Sequence, residues 1–242
     1  MLDGLPAVLN KASLRFVAQP IFRQKGELYG HEMMLLHKQH KDPAMFMKIV
    51  NHMGLRQNLD LEVCRMAEPV LRTHNLNGCC CIDLFSDSLQ EEEVIEALLM
   101  LADPSANRWV MVNVMQLDSN NKQSNLAEII ADLRQCGVRF CFDVKLLMQI
   151  TAMSLPVDML RMDIRNVPED QWGRWISFAE SNCVPMLAAG VDDENHRETL
   201  CQLGIDFLQG KIFEPCYSIA IQHAADINVV AALWYVDNAG VV

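Results

Sequence analysis

From Phe16 to Phe213 the chain alternates short apolar runs with amphipathic segments, a rhythm that leaves few folds open. The apolar runs are Phe16–Phe22, Leu28–Leu36, Cys79–Phe85, Trp109–Val114, Arg139–Val144, Met159–Ile164, Val184–Val191 and Phe207–Phe213. They are continuous rather than polar at every second residue, as strands covered on both faces are. Between them, Pro43–Met53, Leu59–Leu71, Glu91–Leu101, Leu126–Cys136, Gln171–Ser181 and Glu194–Leu203 repeat apolar residues at helical spacing. Only Arg23-Gln24-Lys25-Gly26-Glu27 separates the first two runs, too short for a crossover helix and right for a hairpin. The expected fold is therefore α/β, a modified (β/α)8 barrel of the TIM type opened by an antiparallel hairpin. An open doubly wound sheet is the second choice.

The barrel is expected over residues 14–218, with 1–13 as a short helix or linker before it. Residues 219–242 read as a C-terminal helix or tail, because Ile227–Val236 is strongly apolar. It would pack on the barrel or dock a partner, a second copy included. The formal charge of −11 works against nucleic-acid binding, since neutralising phosphates needs a surplus of Lys and Arg. No apolar stretch reaches the roughly 18–20 residues of a membrane span, and Met1–Ala12 lacks a signal pattern. A cytoplasmic protein without a membrane role is expected. Nine cysteines with no CxxC pair read as buried reduced thiols rather than zinc ligands. His37 and His40, among Lys38 and Lys41, read as an exposed loop.

In such a barrel, function collects at the C-terminal ends of the strands. Those ends supply Glu32, Asp83, Asn113, Asp143, Asp163, Ala189 and Gln209. Converging oxygen-bearing side chains suit a hard cation such as Mg²⁺, but Asp and Asn also close strands for local reasons. The pattern alone leaves both readings open.

Eight short segments then stand in order. They are Ala18-Gln19-Pro20-Ile21, His31-Glu32-Met33-Met34-Leu35-Leu36, Cys81-Ile82-Asp83-Leu84-Phe85 and Asn113-Val114-Met115-Gln116, followed by Asp143-Val144-Lys145 and Arg161-Met162-Asp163. Ala188-Ala189-Gly190-Val191-Asp192 and Gln209-Gly210-Lys211-Ile212-Phe213, with Pro215 after it, complete the set. Together, from about Leu14 to Pro215, they resemble the EAL domain, the bacterial module that hydrolyses the second messenger cyclic di-GMP.

The resemblance implies a two-metal hydrolysis, and a pair of neighbouring cations needs several anionic oxygens. Glu32 and Asp143 match the family pattern, and Asp83 stands where the family has an amide ligand. Asn113 stands in place of a Glu, Val144 in place of an Asp, Ala189 in place of a Glu and Arg161 in place of a Lys. Gln116 replaces the acid that steadies the loop after Arg139–Val144, and Leu36 replaces an Arg that meets a ligand phosphate. On this comparison Glu32, Asp83, Asn113, Asp143, Val144, Arg161, Asp163, Ala189 and Gln209 form a vestigial site. No catalytic residue, metal or cofactor is expected, and the chain is expected not to be an enzyme. The expected role is regulation by protein–protein contact in motility, biofilm or RNA-turnover control, with a regulator or a ribonuclease-type complex as partner. Binding of cyclic di-GMP without hydrolysis, through Gln19, Glu32, Arg161 and Gln209, is the alternative. It is disfavoured because the acids at the mouth repel a dianion, which Lys145, Arg161 and Lys211 offset only in part. Weak residual phosphodiesterase activity is the third reading. The chain fits a stand-alone protein and a domain of a longer one equally well.

Overall fold

The computed structural model describes Leu9 and residues 14–37, 43–74, 76–117, 125–213 and 217–219. Strands β1 (Leu14–Arg23) and β2 (Leu28–His37) form the antiparallel hairpin, with Leu14 opposite His37. β3 (Gly78–Leu84), β4 (Arg108–Val114), β5 (Arg139–Asp143), β6 (Met159–Asp163), β7 (Met186–Ala189) and β8 (Phe207–Gln209) follow in parallel and in chain order. β8 then returns to Phe22 and Arg23 of β1, antiparallel, and the barrel closes. A short strand β9 (Tyr217–Ile219) pairs with Phe16–Ala18 of β1. This closure rules out the open doubly wound sheet.

Seven α-helices lie among the described residues. They are α1 (Pro43–His52), α2 (Arg56–Thr73), α3 (Glu92–Leu99), α4 (Leu126–Gln135), α5 (Leu147–Ala152), α6 (Trp172–Ser181) and α7 (Glu194–Gln202). None is long and apolar enough to cross a membrane. α5, entered through a 3-10 turn at Val144–Leu146, is the one without a periodic signal in the sequence, because six residues make fewer than two turns.

The continuous apolar runs conceal a strict inside–outside division. Outward residues Cys80, Ile82 and Leu84 of β3, Val110, Val112 and Val114 of β4, and Phe140 and Phe142 of β5 pack against α2, α3 and α4. Leu160, Met162, Ala188 and Leu208 do the same against Trp172, Ile176 and Leu200. The inward set is separate: Ile21, Cys79, Cys81, Met111, Cys141, Met159, Leu187 and Phe207 fill the barrel. Three cysteines and two methionines in that layer are small or pliable enough to plug a narrow, tapering interior. Burial pushes the thiols of Cys79, Cys81 and Cys141 well up, so they stay protonated.

Several expectations need correcting. Cys64, Cys79, Cys80, Cys81 and Cys141 are buried free thiols, whereas Cys136 and Cys183 are exposed and Cys201 is half-buried. His37 is not in an exposed loop; it ends β2, is buried, and stacks on Phe46 at 5.3 Å. His40, Cys216 and Ile227–Val236 lie outside the described residues, as do 1–13 apart from Leu9 and the tail after 219.

Candidate functional site

Beyond the sulfur-rich layer the same inward rows turn polar. Two residues on from Cys81 comes Asp83, from Met111 Asn113, from Cys141 Asp143, from Met159 Arg161 and then Asp163, from Leu187 Ala189, and from Phe207 Gln209. Strand register sets Asp83 beside Asn113, Asp143 beside Arg161, Asp163 beside Ala189, and Ala189 beside Gln209. On the hairpin, Gln19 stands opposite Glu32. The C-terminal mouth of the barrel therefore gathers Gln19, Glu32, Asp83, Asn113, Asp143, Arg161, Asp163, Ala189 and Gln209, while Gln116 lies exposed past the end of β4. Val144 turns away and packs behind the barrel with Leu160 and Met162. The side chain of Leu36 lies outside the described residues.

Within the mouth the polar groups engage one another. Gln209 Nε2 donates to Glu32 Oε2 at 2.7 Å, both residues being buried. Arg161 Nη2 stands 4.0 Å from Glu32 Oε1. Asn113 Nδ2 donates to Asp83 Oδ1 at 2.8 Å. Burial first, and then the charge of Glu32, push the Asp83 carboxyl up to about 7, against the pull of Arg161 and Asn113. Burial alone would disfavour the charge on Arg161, but Glu32 and Asp83 outweigh it and hold the guanidinium firmly cationic. Burial would likewise raise Asp163, but the hydrogen bonds and charge of Arg165 hold its carboxyl below the usual range. Arg165 grips it with Nε at 2.9 Å and Nη2 at 2.7 Å. Gly190 makes room for that grip. A Cβ there would fall 2.7 Å from Arg165 Nε, and its φ of +79° is one that L side chains rarely adopt. Asp143 accepts from the Lys145 backbone at 2.9 Å, and Lys145 Nζ lies 3.7 Å from its other oxygen.

Two consequences follow. The expected excess of negative charge at the mouth is largely cancelled by Lys145, Arg161 and Arg165, with Asp83 near half-ionised at neutral pH. A divalent-metal pair does not fit the donors as they stand. Glu32 is turned to Gln209 and Arg161, Asp83 to Asn113, and no three His, Cys, Asp or Glu among the described residues are placed to hold a metal ion. What the mouth does offer is a donor and an acceptor, Arg161 Nε and Gln209 Oε1, both buried without a hydrogen-bond partner.

Two contributors escaped the sequence reading. Arg165 was signalled only by its place two residues after Asp163, a common Asx-turn spacing. Asp60, on α2, is buried and accepts from the Phe85 backbone at 2.7 Å. Burial lifts its carboxyl to about 8, against the downward pull of the Phe85 backbone hydrogen bond. It pins the chain leaving β3, just past Asp83.

The chain is 24% identical over 236 residues to cyclic di-GMP phosphodiesterase PdeF of Escherichia coli K12, covering 87% of this chain and 31% of PdeF. It thus spans about a third of the length of that relative. An EAL domain protein from Listeria monocytogenes superposes with a TM-score of 0.68 at 14% identity, over 86% of this chain and 90% of that one. The PaMucR phosphodiesterase, in a cyclic di-GMP complex, superposes with a TM-score of 0.66 at 21% identity, over 86% and 94%. These relatives correct the expectation that the chain is not an enzyme, because the sequence relative and one structural neighbour both carry the name of a phosphodiesterase. The EAL domain family model matches residues 5–215, and the chain belongs to the EAL domain family.

Proposed function

We propose that this EAL domain is a regulatory module of cyclic di-GMP signalling that recognises the dinucleotide at its barrel mouth and acts on a protein partner. The observation that carries this reading is the half-buried, firmly cationic Arg161 at the mouth. Its Nε, and Gln209 Oε1 nearby, are polar atoms without partners. A phosphodiester anion entering a partly dry cleft needs a fixed cation, and a guanidinium matches its oxygens in geometry as well as charge. A nucleobase edge brings the N–H that the Gln209 oxygen lacks. Gln19, facing Glu32 on the hairpin, and Glu32 itself complete the proposed contact set.

The near-balance of charge at the mouth removes the repulsion that disfavoured this ligand in the sequence. The names of the relatives supply the identity of the dinucleotide. For the output, support comes from Met148 at the start of α5, 87% exposed and three residues past Lys145. An unbranched thioether in that position adapts to varied partner surfaces. The free thiols fit a reducing bacterial cytoplasm, where control of motility, biofilm or RNA turnover is the proposed setting.

The test is an equilibrium titration of fluorescently labelled cyclic di-GMP into the chain, with and without Mg²⁺, beside Gln209→Leu. Dissociation constants of roughly 1–10 µM, weakened about tenfold or more by the substitution, are expected. A folded chain that takes up no dinucleotide at about 100 µM contradicts the reading. Capture of a partner from bacterial lysate that changes with added dinucleotide tests the output.

A further inference from the structure

The N-terminal end of the barrel, opposite the mouth, holds a cavity of about 330 Å³ lined by Tyr29, Trp109, Met111, Gly137, Arg139 and Asp158. That volume lies at the lower end of the range for small-ligand sites. Trp109 and Arg139 arrive there as the earliest inward members of the rows that continue to Met111 and Cys141. Tyr29 does not belong to an inward row. The β1–β2 register pairs Ile21 with Gly30 but Phe22 with Leu28, so Tyr29 is left unpaired in a bulge. Bulges of this kind re-aim side chains. Here the ring turns onto Phe207, with centroids 4.3 Å apart, and meets Trp109 edge-on at 5.7 Å.

The bulge depends on two glycines. A Cβ on Gly30 would fall 2.1 Å from the Cys79 carbonyl oxygen, and one on Gly78 would fall 2.6 Å from that of Tyr29. The backbone is thus shaped to place one aromatic ring at the cavity wall. Burial lifts the Tyr29 hydroxyl to about 12, so the corner stays neutral. Arg23 lies over the outer face of Tyr29, 5.1 Å from its centroid.

The rim carries a cation with donors to spare. Asp158 is fully used, taking Arg134 Nε and Nη2 and the Phe140 backbone N–H. Arg139 is left with long contacts to two carbonyls, at 3.4 and 3.5 Å, and Nε 4.0 Å from Asp158. In a chain of net charge −11, an aromatic corner beside an under-used guanidinium is a specific pairing of features. Tyr29 and Trp109 also pack against the inward core layer, but that packing does not call for the guanidinium beside them.

We infer that this cavity is a second binding site, for a flat heteroaromatic ring carrying one anionic group, of the size of a purine mononucleotide. The ring lies against Trp109 and Tyr29 above Met111, and the anion meets Arg139 at the rim. Gly137, without a side chain, leaves the entrance clear. Stacking on aromatic side chains and a guanidinium–anion contact are individually strong enough to be separated by substitution.

Calorimetric titration of the full chain with 5′-GMP, guanosine and ribose 5-phosphate tests this. The expected result is saturable one-to-one binding of 5′-GMP at sub-millimolar concentration, with guanosine and ribose 5-phosphate each weaker by about tenfold or more. Arg139→Ala, at a side chain 46% exposed and without tight contacts, should fold normally and lose about tenfold in affinity, with Arg139→Lys in between. Binding should quench tryptophan fluorescence in the wild type and not in Trp109→Phe. Absence of binding overturns the inference, as does equal binding of ribose 5-phosphate. So does 5′-GMP affinity that survives Arg139→Ala but vanishes in Gln209→Leu, which would place the ligand at the mouth instead.

Discussion

At the C-terminal end of the barrel, Glu32, Asp83, Asn113, Arg161 and Gln209 are satisfied chiefly by one another. At the N-terminal end, Tyr29, Trp109 and Phe207 pack as rings, with Arg23 over them and Arg134, Arg139 and Asp158 at the rim. Both ends hang on the same strands and are separated by one layer of sulfur-rich side chains. The contrast teaches how each end depends on its surroundings. The mouth is an electrostatic construction, sensitive to pH and to removal of a single charge. The opposite end is a steric one, sensitive to added volume and almost indifferent to charge.

Substitutions at the two ends should separate these dependences. Gly30→Ala, which drives a Cβ into the Cys79 carbonyl, should cost roughly 4 kcal/mol or more in denaturant unfolding, because backbone rather than a pliable side chain must give way. A loss under about 1 kcal/mol would mean the bulge is not the tight fit described. Arg161→Ala leaves buried Glu32 and half-buried Asp83 without their cation and should cost about 3 kcal/mol. The cost should be greater at pH 8 than at pH 5, since Asp83 is neutral at the lower value.

The pH dependence has a definite sign. Asp83 and Asp60 have folded-state values of about 7 and about 8, above their ordinary range. Their favourable contribution is complete below about pH 4 and is lost as the pH climbs through 7 and 8. The wild type should therefore weaken between pH 5 and 8.5. Asp83→Asn keeps an acceptor for Asn113 and supplies an N–H toward Glu32, and should recover about 1–2 kcal/mol of that loss. A decline unchanged in Asp83→Asn would place the titration elsewhere. Arg139→Ala, the smallest effect, should move stability by less than about 0.5 kcal/mol.

Much of this was legible in the chain. The barrel followed from eight apolar runs and one connection too short for a helix. The mouth followed from a polar residue recurring at the end of each inward row, as in Cys81-Ile82-Asp83 and Met111-Val112-Asn113. What stayed hidden has physical reasons. Continuous apolar strands mask which residues face inward, so the sequence does not display that Val144 points away from the mouth; it follows the last strand residue, where the alternation has already ended. The bulge at Tyr29 is a register event between two strands and leaves no period in either. The expected repulsion weighed the acids against Lys145, Arg161 and Lys211 but not against Arg165, which pairs with Asp163. The link between Asp163 and Arg165 depends on backbone geometry at Gly190, which the sequence does not display.

The claim on which the account rests is that Arg161 gives the mouth its own cation for a phosphodiester ligand. Isothermal titration of cyclic di-GMP into the wild-type chain in the presence of EDTA tests it most directly. Micromolar affinity that persists without any divalent ion, and falls at least about tenfold in Arg161→Met, is the predicted result. Binding that appears only when Mg²⁺ is restored, or that is indifferent to Arg161→Met, would contradict it.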